Sequence, residues 1–412
     1  MKTKVVKVPF EIEIPHHWTL VSNREIFEEH NIRGLTNLDL LSVSQSRGVT
    51  PQSEVIEKKD ISNEDKSNYK HVGYEYIVYN KMRMWQGAVG VSKYEGIVSP
   101  AYVVLKKRNN QVIPDYFHYQ FRSDFFVKQS GIFSYGLCDD MNSLRYEDFK
   151  NMKSILPSKE EQQIIVGSVN NSNDLIDLFI KWKLKYITLL KEYKQSKINE
   201  IVTKGLNPNI KLKDSGIKWL GKIPEQWRIM KLNKLVTLNS SSSQNKTNKI
   251  ALENIESWTG KLIKSNNIPF EGNGVSFEKG DILFCKLRPY LAKAYLPTVN
   301  GVCVNELLVF KPKVNLILKE FLYTRLLTYD FIQLVNSSTY GAKMPRANWD
   351  FIGEIEIPFP ASNDEQIQIY EMTEQIKEDI NALIKKAMEQ IELIQEYKKS
   401  FIYELVTGKR KP

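Results

Sequence analysis

One stretch of this chain occurs twice. The pattern from Ser158 to Thr203 returns from Ser362 to Thr407 at a constant offset of 204 residues, with no gap. Each copy opens with a serine and, three positions on, a glutamate: Ser158 with Glu161, Ser362 with Glu365. That is the capping-box spacing, in which the two side chains each satisfy an unpaired amide of a helix's first turn. Ile176, Ile180, Leu184, Ile187, Leu190, Ile198 and Ile201 are matched by Ile380, Ile384, Met388, Ile391, Ile394, Ile402 and Leu405, in steps of three and four except at a lysine-bearing turn. Such a stripe is one face of a long amphipathic helix. Glu192-Tyr193-Lys194 recurs as Glu396-Tyr397-Lys398, and Gly205 and Gly408 stand where helix ends favour glycine.

Helices of about 45 residues run about 65 Å, too far for burial inside one globular domain. They need each other or a partner. A solvated strut suffices for one such helix, but two copies with an intervening domain suit the order domain, helix, domain, helix. That order lets the helices lie antiparallel and hold two similar domains apart.

The remainder is duplicated as well. Ile14-Pro15-His16-His17-Trp18 opens the first half and Ile223-Pro224-Glu225-Gln226-Trp227 the second, and from about Ile77 to Gly136 the halves hold an offset of 205. The expected fold is α+β, a tandem duplication of two α/β domains with boundaries 1–157, 158–204, 205–361 and 362–412, the second and fourth segments being the coiled-coil helices. Short strands are expected around 72–105 and 281–310, each set followed by a helix near 114–129 and 318–335. Lysine plus arginine exceed aspartate plus glutamate by 58 to 48, a net charge of +10, which favours a polyanionic partner. Three cysteines without Cys-x-x-Cys spacing indicate neither a disulfide framework nor a zinc site, no apolar run is long enough for a membrane span, and the first ten residues do not read as a signal peptide. A cytoplasmic location is expected.

Lys81, Arg83 and Trp85 align with Lys286, Arg288 and Tyr290. At alternate positions of a strand each triplet would share one face, cations interleaved with an aromatic, suited to a phosphate backbone. The plain alternative is a solvated strand face. Enzymatic patterns fare worse. Phe270-Glu271-Gly272-Asn273-Gly274 has the letters of a methyltransferase cofactor loop but follows Asn266-Asn267-Ile268-Pro269 rather than a buried strand, and no Asn-Pro-Pro-aromatic or Asp-Pro-Pro-aromatic tetrapeptide occurs. Pro114-Asp115 with Asp148-Phe149-Lys150 resembles a metal-dependent nuclease pattern, with no acid-x-Lys match in the other half. All five histidines lie in the first half, so a function shared by both halves does not rest on histidine. No catalytic, cofactor-binding or metal-binding residue is expected.

The junction Val202-Thr203-Lys204-Gly205-Leu206-Asn207-Pro208, then Lys213-Asp214-Ser215-Gly216-Ile217-Lys218-Trp219-Leu220-Gly221, then Ile223 to Trp227, resembles the specificity subunit of type I restriction-modification systems. Trp85-Gln86-Gly87, Gly96 to Tyr102, Gly280 to Phe284, and the Glu-Gln opening both helices extend the resemblance over essentially the whole chain. It implies a non-catalytic DNA-reading subunit whose two target recognition domains each read one half of a bipartite asymmetric site in double-stranded DNA. Two modification subunits carrying S-adenosylmethionine would assemble on it, and restriction subunits with ATP and Mg would join through the complex. The first helix follows Leu156-Pro157-Ser158, where the family more often shows a lead-in like Ile357-Pro358-Phe359-Pro360. Residues common to both halves cannot distinguish different half-sites, so Lys81, Arg83, Trp85, Lys286, Arg288 and Tyr290 are expected to be phosphate contacts or scaffold. Base readers are expected in the divergent stretches 44–47, 136–145, 240–246 and 341–348, with Arg47, Arg145, Lys343 and Arg346 as candidates for reading guanine.

Overall fold

A computed structural model of the chain describes residues 2–45, 47–54, 65–136, 142–243, 248–263, 272–341 and 343–412. The chain divides into two compact units, Met1–Lys183 with Glu389–Pro412, and Leu184–Met388. This division cuts through both long helices, where the sequence boundaries set each helix apart as a segment.

In the first unit Phe27–Glu29, Tyr102–Lys107, Ile77–Asn80 and Val89–Val91 form an antiparallel sheet in that spatial order. Side chains alternate across a strand, so Ile77, Tyr79, Val103 and Leu105 enter the main core while Val78 and Val104 join a smaller cluster with Leu41, Val43 and Val49. The second unit repeats the plan with Val236–Asn239, Leu307–Pro312, Ile282–Cys285 and Ala294–Tyr295. Ile282, Phe284 and Phe310 face its main core, and Leu283, Cys285 and Val309 a smaller one.

The single helix expected after each sheet is two. Pro114–Arg122 is followed by Asp124–Phe133, and Lys319–Leu326 by Tyr329–Ser337. Ser123 and Thr328 occupy the breaks in the same extended conformation, φ −73°, each hydroxyl donating to the carbonyl three residues back, Gln120 and Arg325. A side chain that competes for helix carbonyls favours such a stop.

The long helices are Lys159–Lys204 and Asn363–Val406. The first opens with a complete capping box, the Glu161 amide donating to Ser158 Oγ at 3.2 Å and the Ser158 amide to Glu161 at 3.1 Å. In the second only the Glu365 amide reaches Ser362 Oγ, at 3.5 Å. The glutamates have a further duty, accepting from the paired indoles: Trp18 Nε1 at 3.1 Å from Glu161, Trp227 Nε1 at 2.9 Å from Glu365. Gly408, at φ +72°, lies against Trp18 so closely that a Cβ there would meet the Pro15 ring at 2.3 Å. Gly205, at φ +78°, sits likewise beside Trp227. Each unit therefore seats the start of one long helix and the end of the other on one tryptophan.

The glutamine that follows each glutamate is buried. Gln162 accepts from the Ile113 amide at 2.9 Å and donates to the Gln111 and Pro157 carbonyls, and Gln366 accepts from the Leu318 amide at 2.8 Å and donates to Pro360. Gln162→Ala would strand these backbone groups at a cost of about 1–3 kcal/mol for each one left unsatisfied. A lowered urea midpoint with an unchanged slope is the expected reading, and an unshifted midpoint would refute it.

In the first unit Lys398 reaches Asp177 at 3.1 Å, and in the second Lys194 reaches Asn381 at 3.0 Å, so the helices run antiparallel within each. The seam corrects one pair of the expected stripe. Leu184 and Met388 are 54% exposed, whereas Ala387 is 2% exposed and Lys183, its partner in the repeat, is half-buried with its ammonium 5.4 Å above the Phe179 ring. Long lysine stems cover apolar surface while the charge reaches outward, so the seam passes through Lys183 where the apolar letters pointed one residue on.

Candidate nucleic-acid interface

The two cationic triplets do not lie on strands. The strands end at Asn80 and Cys285, and the chain turns into short 3-10 helices, Met84–Gln86 and Pro289–Leu291. In the first unit Asn80 forces the turn, its side chain accepting from the Met82 amide and its carbonyl from the Arg83 amide, and Gly87 closes it at φ +79°. In the second, Arg288 takes a left-handed φ of +49° and Pro289 starts the 3-10 helix. Met84 and Pro289 are buried anchors, Arg83, Arg288 and Tyr290 project outward, and Trp85 is tied through its indole to the Met82 carbonyl at 3.0 Å. The cations thus crown a turn, and the shared strand face does not exist.

Each turn is bonded to the divergent loop of its own unit. The Leu144 amide donates to Lys81 O and the Ala347 amide to Lys286 O, both at 2.9 Å. Tyr135 bridges to Ser143 in the first loop and Tyr340 to Arg346 in the second, while the Arg288 amide donates to Pro345 O at 2.7 Å. Residues 137–141 and 342 lie outside the described residues. In the first unit a third element joins: the hairpin Leu41–Ser44 with Gly48–Pro51, from whose tip Gln45 donates to Gln86 O at 2.7 Å. Gly90 permits this seat, since a Cβ there would come 2.7 Å from the Val49 amide. Arg47 stands exposed on the tip and donates to Glu54 O at 3.3 Å. The second unit places its corresponding stretch differently: Ser242–Ser243 pair with Gly274–Val275, and 244–247 lie outside the described residues.

The charge balance differs between the sites. Burial holds the Lys81 ammonium below its ordinary pKa, the charges of Lys70, Arg145 and Arg33 push the same way, and only Glu29 opposes them. Glu29 is already engaged by Lys70 at 3.0 Å, and Lys81 has no ion pair among the described residues. Arg145 lies 5.7 Å over the exposed Tyr135 ring. In the second unit Arg346 is bound to Glu306 at 2.8 Å, and that hydrogen bond raises its pKa. Lys343 is exposed on the same loop. Glu306 did not emerge from sequence reasoning, although a signal existed: the repeat places Ala101 opposite it, and both positions receive the amide of the turn lysine, Lys81 N to Ala101 O and Lys286 N to Glu306 O. Gln45, Gln86, Tyr135 and Tyr340 were also missed, since contacts between distant segments leave no periodic trace.

Residues 224–393 match the family model described as type I restriction modification DNA specificity domain. The EcoDI specificity subunit of Escherichia coli is 27% identical over 57% of this chain, and the chain spans 56% of that relative's length. The MjaVIII specificity subunit of Methanocaldococcus jannaschii is 23% identical over 83% of this chain and 82% of its own. Among solved structures, a chain from work on complex assembly and conformational transition of the type I R-M system aligns with TM-score 0.68 and 13% identity, covering 97% of this chain and 100% of that one. The HsdS subunit from Thermoanaerobacter tengcongensis aligns with TM-score 0.57 and 14% identity over 96% and 98%. The chain thus carries a type I restriction modification DNA specificity domain over residues 224–393, and over most of its length it is similar in sequence to type I specificity subunits and in fold to the HsdS subunit.

Proposed function

We propose that this chain reads DNA sequence for a type I restriction-modification complex without catalysing a reaction itself, each domain reading one half of a bipartite asymmetric site. The observation that carries this reading is the bonding of a shared cationic turn to a divergent loop in both units. The turn supplies phosphate contacts common to both halves, and the loop supplies what differs. Arg145 and Lys343 are the favoured base readers, and Arg346 reads only if Glu306 releases it or reads alongside. Exchanging residues 10–155 for the equivalent domain of another specificity subunit should change one half of the methylated site and leave the other, as scored by methylome sequencing. A change in both halves would sink the reading.

Lys81→Gln should weaken binding to cognate and unrelated duplexes alike and lower the salt slope by about one unit. Because the Lys81 pKa is lowered, its contribution should fade on raising pH sooner than that of an ordinary lysine, so the wild type should lose affinity with rising alkalinity more steeply than Lys81→Gln. Parallel pH curves would contradict this.

Two modification subunits are proposed to dock on the long helices, and the helices to set the spacer between half-sites. In support, Leu175, Leu178 and Trp182 present a large exposed apolar run on the first helix, at 69%, 51% and 60% exposure, more than a solvated face needs. S-adenosylmethionine would sit on the modification subunits, and ATP and Mg on restriction subunits. Trp182→Asp should abolish co-purification with the modification subunit while leaving the chain folded; retained assembly would exclude this face.

A further inference from the structure

A groove of about 500 Å³ in the second unit is walled by both long helices, through Lys191, Lys194, Lys377 and Asn381, and by the loop bearing Trp258 beside Tyr329. Its charge follows from one departure from the duplication. Lys398 and Asp177 form an ion pair, and exactly 204 residues away in each case the repeat places Lys194 and Asn381. The acceptor has become an amide, so Lys194 donates to a neutral oxygen at 3.0 Å. Burial, then the charges of Lys377, Lys191 and Lys261, hold the Lys194 pKa down against Glu256 alone. Glu256 accepts from Thr259 Oγ1 at 2.5 Å, Lys377 is paired with Glu374 at 2.6 Å, and Lys191 has no ion pair among the described residues. Beside this cationic wall Trp258 holds a left-handed φ of +65°, rare for a bulky side chain. Its indole lies near-parallel to Tyr329, centroids 6.4 Å apart and planes 22° apart, and both rings reach solvent.

We propose that this groove binds a nucleotide, its phosphate on Lys191 and Lys194 and its base against the Trp258 and Tyr329 rings. Lysine ammoniums act as point charges toward phosphate, and an aromatic face accepts any base. An acidic side chain would satisfy the lysines but leave the rings unused. The phosphate chemistry is common to a strand of DNA and to a free nucleotide, and the groove adjoins the second unit's turn, the Trp258 amide donating to Ala292 O at 3.0 Å.

The test uses the full chain, with tryptophan emission as readout and Trp258→Phe to isolate the local signal, titrated in parallel with ATP and with a short duplex. A Trp258-dependent change is expected with at least one titrant: ATP alone identifies a free nucleotide, the duplex alone a DNA strand. Asn381→Asp restores the carboxylate that the other copy has and removes no packing, and it should weaken binding at least tenfold, as should Lys194→Gln. Asp177→Asn, in the other unit, should leave the affinity unchanged. Absence of a Trp258-dependent change with both titrants, or wild-type affinity in Asn381→Asp, overturns the proposal.

Discussion

Arg325→Ala is expected to destabilise the second unit by about 3 kcal/mol, the low end of the cost of breaking a buried pair, because it empties a fully buried site and leaves the 20%-exposed Asp330 side chain without its partner. Arg325 is fully buried, and its guanidinium meets Asp330 through two parallel bonds of 2.8 and 3.0 Å while facing the Trp219 ring at 5.5 Å. Asp330 also accepts from the Phe331 amide at 2.8 Å. Burial by itself would raise the Asp330 pKa; the charge of Arg325 and the hydrogen bonds from Arg325, Thr328 and Phe331 outweigh it and hold the pKa below its ordinary value. The sign follows. A carboxylate depressed in the folded state contributes stability that is fully present above its unfolded pKa, about 4, and is lost as pH falls through the lower folded value. Acidification below about pH 4 should therefore loosen the second unit, and Arg325→Ala should flatten that dependence. Hydrogen exchange over 319–337 at two pH values measures both effects, and a loss below about 1 kcal/mol, the scale of an exposed ion pair, would show that the pair does not hold the unit.

The repeat makes this contrast sharp. At the matching position of the first unit Gln120 is equally buried, but it is satisfied by neutral bonds, donating to Tyr116 Oη and Ile155 O and accepting from the Ile155 amide. The same place in the fold is filled by an amide clamp in one unit and an ion pair in the other, so acid sensitivity arising at this place is expected in the second unit alone.

The other large expected effect concerns spacing. One heptad inserted after Thr188 and one after Ala387, level with each other on the register set by Lys194 and Asn381, preserves the seam and lengthens the pair by about 10 Å. At 3.4 Å per base pair the methylated site should gain a spacer up to about three base pairs longer. Two-residue insertions at the same points rotate each downstream stripe by about 200° and should abolish assembly and methylation. Recovery of the original spacer from an active heptad variant would remove the helices' proposed role as ruler.

What the sequence could and could not disclose divides along physical lines. The long helices, their start signals and the duplication were legible because capping, periodicity and repetition are local or translational patterns. The lead-in Leu156-Pro157-Ser158 did not obscure the first helix start, whose capping box is the more complete of the two. The seam at Lys183 was not legible, since a lysine with a covered stem carries a polar letter. Nor was the turn after Asn80 and Cys285, where alternating residues imitate a strand and only the Asn80 side-chain bond and the left-handed Arg288 reveal the reversal. The site's partners were hidden for another reason: Gln45 with Gln86 and Lys81 with Leu144 are joined by tertiary contact, not spacing.

The seating of both helix ends on one tryptophan has a consequence for synthesis. Leu405 and Val406 belong to the core of the first unit, and Tyr116 Oη bonds to Val406 O across 290 positions of sequence. The first domain therefore leaves the ribosome with an open seat between Pro15 and Trp18, which stays open until the end of the second long helix has been made. Contacts so distant in sequence form late. A chain cut before Gly408 would carry an unsealed hydrophobic pocket in its first domain, so closure of that domain should wait on completion of the second long helix.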